Sequence, residues 1–273
     1  TEGPGPCVAW RGTMSGHIAL ERAGARATIT ISNPEKRNAM SLAMWQDLTA
    51  KMHECGQDDD LRVVVLRGEG GKAFVSGADI GGADVGAGAH GLQAYDAATS
   101  DAYHAVAQCP HPVLVQIDGY CIGGGLGLAV AADIRICDET SQFAIPAAKL
   151  GVGYSVDGVA MLMQLVGPSM TKDILFTARR LGAEEALRVG LVSQIVGKGQ
   201  VADRIDEMAS AVIENAPLTL RTVKQTVAAL ARRPDDDAML AIQELVDGCF
   251  ASADHREGLE AFFAKRPAVF KGR

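Results

Sequence analysis

Three consecutive glycines, Gly123, Gly124 and Gly125, stand between two apolar runs in the segment Pro112–Ala129, PVLVQIDGYCIGGGLGLA. Val113–Ile117 has the length and β-branched content of a buried strand, Asp118-Gly119 is a turn signal, and the residues after the glycines read as a helix. Glycine loses more backbone entropy on folding than any other residue and packs no side chain, so three in a row constrain the local fold strongly. Two readings fit. Bare N–H groups at a helix start can approach a ligand and stabilise negative charge, or the glycines serve a tight turn with close helix-on-sheet packing. Phosphate cradles are disfavoured. No Lys-Ser or Lys-Thr follows, as a P-loop requires, and G-x-G-x-x-G counted from Gly123 ends on Leu128. An oxyanion hole, in which N–H groups meet charge developing on a carbonyl oxygen, stays open.

A second segment narrows the choice. Val63–Leu66 is another β-branched strand candidate, and it runs through Arg67–Lys72 into Ala73–Ile80, AFVSGADI. With NPEKRNAM at residues 33–40, HPVLVQIDGYCIGGGLGLAVAADIRI at 111–136 and ARRLGAEEALRVGLVSQIV at 178–196, these pieces keep one order along residues 16–273. That order resembles the crotonase (enoyl-CoA hydratase/isomerase) superfamily. The resemblance implies an α/β fold with a crotonase-like ββα superhelix core and a C-terminal helical trimerisation region. It also implies an acyl-CoA thioester as substrate, with coenzyme A part of that substrate and no separate cofactor.

Composition sets limits beside this. At 273 residues, 48% hydrophobic and 22% charged, the chain reads as one large globular domain or one with a small appendage. A net charge of −7 argues against nucleic acid or an anionic membrane as partner. Six scattered cysteines without C-x-x-C suggest a reducing compartment and no zinc site. No apolar run approaches ~18 residues and no signal peptide is visible, so a cytoplasmic location is expected.

Residues 1–15 carry Gly and Pro without periodicity and read as a flexible lead-in. The core is expected over 16–200, with strands at Ile18–Leu20 and Ala27–Ile31 and a helix capped by Ser41 whose face carries Trp45, Leu48, Met52 and Cys55. Gly81–Gly91 reads as a mobile loop. Residues 201–273 turn helical, at Val201–Asn215, Leu218–Ala231, Asp236–Phe250 and His255–Lys265. The resemblance has this tail packing in a homotrimer or a hexamer formed as a dimer of trimers.

By residue matching, the family's two oxyanion donors are the backbone N–H groups of Ala78 and Gly124. The resemblance also exposes a departure. The glutamates that hydratases use fall here on Gly127 and Ala147. Hydration needs one group to activate water and another to deliver a proton, and neither residue can do either. The remaining candidates lie in Gly151–Gly158, where Tyr154 and Asp157 occupy a turn beside the acyl group in relatives. Asp157 is the first choice as acid/base, its bland alternative being a cap for a helix starting near Gly158. Asp84 and His90 border the acyl pocket by the same matching, while His53, His104 and His111 read as surface or packing histidines. For the CoA moiety the matching gives Lys36 and Arg37 to phosphates, with a solvated loop charge as the alternative, and Ser76, Asp79 and Ile80 to the adenine and pantetheine side. It gives Phe262, Phe263 and Lys265 to a neighbouring subunit's CoA, with helix packing at the trimer contact equally open for Phe262 and Phe263. Three functions stay open: enolate chemistry as an isomerase, hydrolase or lyase; acyl-CoA binding without turnover; and hydration with a substitute acid/base.

Overall fold

The computed structural model describes residues 16–79, 88–231 and 236–273. Among the described residues there are ten strands and ten α-helices, and the middle of the chain repeats one order. A long-sheet strand leads into a short-sheet strand and then a helix. The first unit is a hairpin and helix: β1 (His17–Ala23), β2 (Arg26–Ser32), α1 (Leu42–Gly56). Three units of strand, strand and helix follow, namely β3 (Val63–Gly68), β4 (Ala73–Val75) and α2 (Gly88–Gln108), then β5 (Val113–Ile117), β6 (Tyr120–Ile122) and α3 (Gly124–Ala131). The third has β7 (Ile134–Asp138), β8 (Gln142–Ala144), α4 (Ala147–Leu150) and α5 (Val156–Thr177). β9 (Leu181–Gly182), α6 (Ala183–Arg188) and β10 (Gln194–Val196) close the sheets, and α7 (Val201–Ile213), α8 (Pro217–Ala231), α9 (Asp236–Ala251) and α10 (Ala253–Ala264) end the chain. This is the ββα superhelix that the resemblance implies.

The larger sheet runs β1-β2-β3-β5-β7-β10, antiparallel only between β1 and β2. The smaller runs β4-β6-β8-β9, parallel until β9. Strand and helix positions follow from sequence chemistry. The β-branched runs of β3 and β5 are buried on both faces, as parallel strands require. Ser41 caps α1 as expected, its hydroxyl accepting from the Met44 N–H at 3.3 Å, and Trp45, Leu48, Met52 and Cys55 are buried along one face. On the other side of the large sheet, Val201, Ile205 and Ala209 of α7 pack on Val63, Val65, Leu114 and Ile136. The apolar periodicity of α2 is that of a core helix, with Ala98, Ala102, Tyr103 and Val106 buried. That helix begins at Gly88, inside the stretch expected as loop.

Parallel pairing of β4, β6 and β8 has one consequence for function. The segments leaving the three strands emerge at the same edge: Ser76–Ala78, Gly123–Gly124 and Ile145–Ala147. Open α/β sheets place ligands at such carboxyl ends.

Candidate active site

Ala78 and Gly124 meet at that edge through backbone contacts. A Cβ added to Gly123 would lie 3.7 Å from the Gly77 Cα, so the two loops are in van der Waals contact. Gly123 has φ +59° and its N–H donates to Ala144 O at 2.8 Å, tying the second loop to the third strand. Gly124 is the first residue of α3, and the first four N–H groups of a helix have no partner within it. On the other loop, Met40 pairs with Ala78 as an isolated parallel bridge: the Met40 N–H donates to Gly77 O at 2.9 Å and the Asp79 N–H to Met40 O at 2.8 Å. In that pattern the groups of the flanking residues face Met40, so the N–H of Ala78 itself points the other way. Ala78 and Gly124 are both partly exposed, between buried Gly77 and buried Gly125. Two backbone donors, reachable from outside and fixed on either side, are what an oxyanion site needs.

Behind the donors the packing leaves no slack. A Cβ on Gly125 would lie 2.6 Å from the Val75 Cβ and nearer still to Val75 O. One on Gly124 would be 3.1 Å from Cζ2 of Trp45. At Gly127 it would sit 2.8 Å from Cε2 of Tyr103 and closer to Cζ and the hydroxyl oxygen. The Tyr103 phenol thus occupies the space into which a side chain at 127 would grow. Its hydroxyl donates to Gly124 O at 2.9 Å. Burial pushes its pKa well above the usual phenol value, with neighbouring Tyr154 adding to the shift.

Tyr154 and Asp157 flank the start of α5. The Tyr154 hydroxyl is buried and has no hydrogen-bond partner. It lies close enough to Tyr103 for each to influence the other's pKa, but the pair falls short of hydrogen-bond geometry, Tyr103 being committed to Gly124. Burial keeps Tyr154 protonated, its pKa far above the ordinary phenol range. The helix that Asp157 was expected to cap is capped instead by Ser155, whose Oγ accepts from the Gly158 N–H at 3.1 Å. Asp157 sits in the first turn of α5 and pairs with His104 of α2, Oδ2 to Nε2, at 3.1 Å. His104 is thus a surface histidine with a carboxylate partner. His111 is buried in the core, where burial lowers its pKa to about 4, and His53 is exposed.

The CoA-side candidates divide. Lys36 donates to Asp79 at 2.7 Å, so Asp79 holds the lysine across the loop instead of standing alone. The Ser76 hydroxyl donates to Lys36 O at 3.1 Å, joining the two loops. The Arg37 guanidinium lies 5.3 Å from the Tyr120 ring centroid, and Arg180 lies 5.5 Å from the same centroid. Arg180 had no signal in the sequence. Phe262 and Phe263 are exposed on α10, edge to face with each other at 5.7 Å, and Lys265 is the left-handed C-cap of that helix. Ile80, Asp84 and the side chain of His90 lie outside the described residues.

The ββα superhelix defines the class of protein, and the comparisons give the family. The enoyl-CoA hydratase/isomerase family model matches residues 21–273, and the chain belongs to that family. It is similar to the short-chain-enoyl-CoA hydratase of Clostridium acetobutylicum, 30% identical over 94% of this chain and 98% of the relative. It is similar to carnitinyl-CoA dehydratase of Escherichia coli, 32% identical over 95% and 100%. Among solved structures it matches an enoyl-CoA hydratase/carnithine racemase from Magnetospirillum magneticum with a TM-score of 0.87, at 35% identity over 94% of this chain and 96% of that one. An enoyl-CoA hydratase from Bacillus anthracis gives a TM-score of 0.89, at 27% identity over 94% and 100%. Among the described residues no helix is long and apolar enough to cross a membrane.

Proposed function

We propose that this chain is an enzyme that binds an acyl-CoA thioester, polarises its carbonyl between the N–H groups of Ala78 and Gly124, and runs enolate chemistry as an isomerase, hydrolase or lyase. The carrying observation is the Tyr103 phenol in the space beside Gly127. No carboxylate can stand there without displacing a buried aromatic ring, and Ala147 offers none opposite. What remains is electrostatic. Each donor of such a hole is typically worth ~2.7–4 kcal/mol of barrier, and both strengthen as charge moves onto the carbonyl oxygen. Removal of the Cα proton breaks the C–H bond and sends its electron pair through Cα–C to that oxygen. Asp157, oriented by His104, is the carboxylate that takes the proton. Tyr154 is the buried O–H that can return one. Lys36, Arg37, Ser76, Asp79 and Ile80 are read as the CoA-binding rim.

A second reading, hydration with Asp157 as substitute acid/base, is favoured by the names of the hydratase and dehydratase relatives. One experiment separates the two. A saturated acyl-CoA incubated with enzyme in deuterium oxide should gain deuterium at Cα by mass spectrometry, while crotonyl-CoA is hydrated orders of magnitude more slowly than by a glutamate-bearing relative. Brisk hydration without exchange supports the second reading, and binding with neither supports a non-catalytic acyl-CoA carrier. The exposed apolar side chains of α8–α10, among them Val223, Val227, Leu240, Phe262 and Phe263, support assembly as a trimer or hexamer, with Phe263 and Lys265 toward a neighbour's CoA.

A further inference from the structure

The two donor loops come from different repeats, yet a single group of aromatic side chains stands behind both. On the Gly124 side, Tyr103 donates to Gly124 O at 2.9 Å while Cζ2 of Trp45 would lie 3.1 Å from a Cβ at Gly124, tighter than an ordinary contact. On the Ala78 side, the carbonyl of Met40, which receives the Asp79 N–H, also accepts from the Tyr95 hydroxyl at 3.2 Å. Trp45 joins the halves. Its Nε1–H donates to the Tyr95 oxygen at 2.7 Å, and its ring meets Tyr103 edge to face, centroids 5.9 Å apart at 86°. Trp45 and Tyr103 are buried, and Tyr95 is mostly so.

Each contact fixes the peptide next to a donor. Gly124 is held before by the Gly123 N–H on Ala144 O and after by Tyr103 on its own carbonyl. Ala78 is held by the Met40 bridge, whose carbonyl Tyr95 anchors in turn. A hole stabilises an oxyanion only while its donors stay pre-set, since reorganisation during the reaction would cancel the gain. Aromatic rings suit the task because they have two side-chain torsions each and interdigitate at crystal-like density. The phenols also stay protonated, burial holding Tyr95 up at about 12 and pushing Tyr103 well above the usual phenol value, so both keep donating across the working range.

We infer that Trp45, Tyr95 and Tyr103 are positioning residues that lock the two oxyanion donors into one spacing, and that Tyr103 also keeps position 127 free of a side chain. The inference rests on the reading of Ala78 and Gly124 as the hole. The test uses a chromophoric conjugated aryl-enoyl-CoA, whose absorbance shifts to the red when its carbonyl is polarised in a hole. Tyr103→Phe keeps the ring and removes the bond to Gly124. It should bind the thioester within a few-fold of wild type, lose part of the red shift, and show a kcat for Cα exchange lowered about tenfold at unchanged KM. Tyr95→Phe should do the same from the other loop, and the double variant should lose less than the product of the single losses, because Trp45 couples the halves. Gly127→Ala, which removes no hydrogen-bonding group, should reproduce the loss by pushing the phenol aside, and Tyr103→Ala combined with Gly127→Ala should show no further loss over Tyr103→Ala. A red shift and kcat equal to wild type in Tyr103→Phe, with only the melting temperature lowered, would make these rings ordinary core and overturn the inference. Wild-type protein that binds the chromophore without any red shift overturns the hole, and the brace with it.

Discussion

The two loops proposed to form the oxyanion hole and the charged rim proposed to surround them are built on opposite principles. In the loops the functional groups are backbone N–H bonds, and the side chains behind them are buried and engaged with one another: Trp45 with Tyr95, Tyr95 with Met40, Tyr103 with Gly124. On the rim the functional groups are charged side chains in half-open pairs, Lys36 with Asp79, His104 with Asp157, and Arg37 and Arg180 over Tyr120. Exposed pairs of that kind are typically worth roughly 0–1 kcal/mol and are screened by salt, whereas a preorganised donor is worth several times more in a dry site. The contrast teaches where the chemistry is stored. Under the proposed function, charge stabilisation would belong to the fold itself, and the rim would adjust affinity and move protons.

The largest effect that bears on this contrast is expected at the one rim residue given a chemical step. Asp157→Asn should lower Cα exchange by ~10²–10⁴-fold with acyl-CoA binding and melting temperature retained, because Ser155 supplies the cap of α5 and the helix does not need the carboxylate. Full exchange activity in the asparagine variant, measured by deuterium uptake, removes Asp157 from the mechanism. Next comes the wall of the hole. Alanine normally favours a helix over glycine by about 1 kcal/mol, but Gly125→Ala drives a methyl group into Val75. A net loss of about 1–3 kcal/mol in chemical denaturation is expected, and a stabilised variant would show that the loops are looser than argued. The smallest effect should come from the phosphate side. Replacing Lys36 and Arg37 by Ala together should weaken CoA binding a few-fold at low ionic strength and flatten its salt dependence. A dissociation constant unchanged at low salt, by calorimetry, takes both residues out of the site.

Much of the scaffold was legible in advance because it depends on local chemistry. Val63–Leu66 and Val113–Ile117 are short β-branched runs, and they became the adjacent central strands β3 and β5. Ser41 before an apolar-periodic run became a cap. The candidate donors Ala78 and Gly124 were placed by motif, and their loops do converge. The pairings were not legible. His104 carries no sign in sequence that Asp157, fifty-odd positions on, will sit beside it; only the packing of α2 on α5 does that. Tyr95 and Tyr103 lie two turns apart in an apolar pattern, which signals a shared helix face but not the carbonyls they reach. Arg180 meets Tyr120 only because β9 pairs back onto β8, a contact set by the sheet.

By itself, then, the sequence determined the elements, the glycines that let backbones touch, and the lack of a carboxylate at 127 and 147, since composition and short-range sterics act residue by residue. Only the tertiary structure decided what fills the space those absences leave. Tyr103 comes from a helix of the preceding repeat, more than twenty positions before Gly127, and its ring reaches that glycine because β4 and β6 lie parallel and bring α2 against α3. Side-chain volume is allotted by long-range packing at near-crystalline density, and no local pattern in the chain records which distant ring will take the place of a missing side chain.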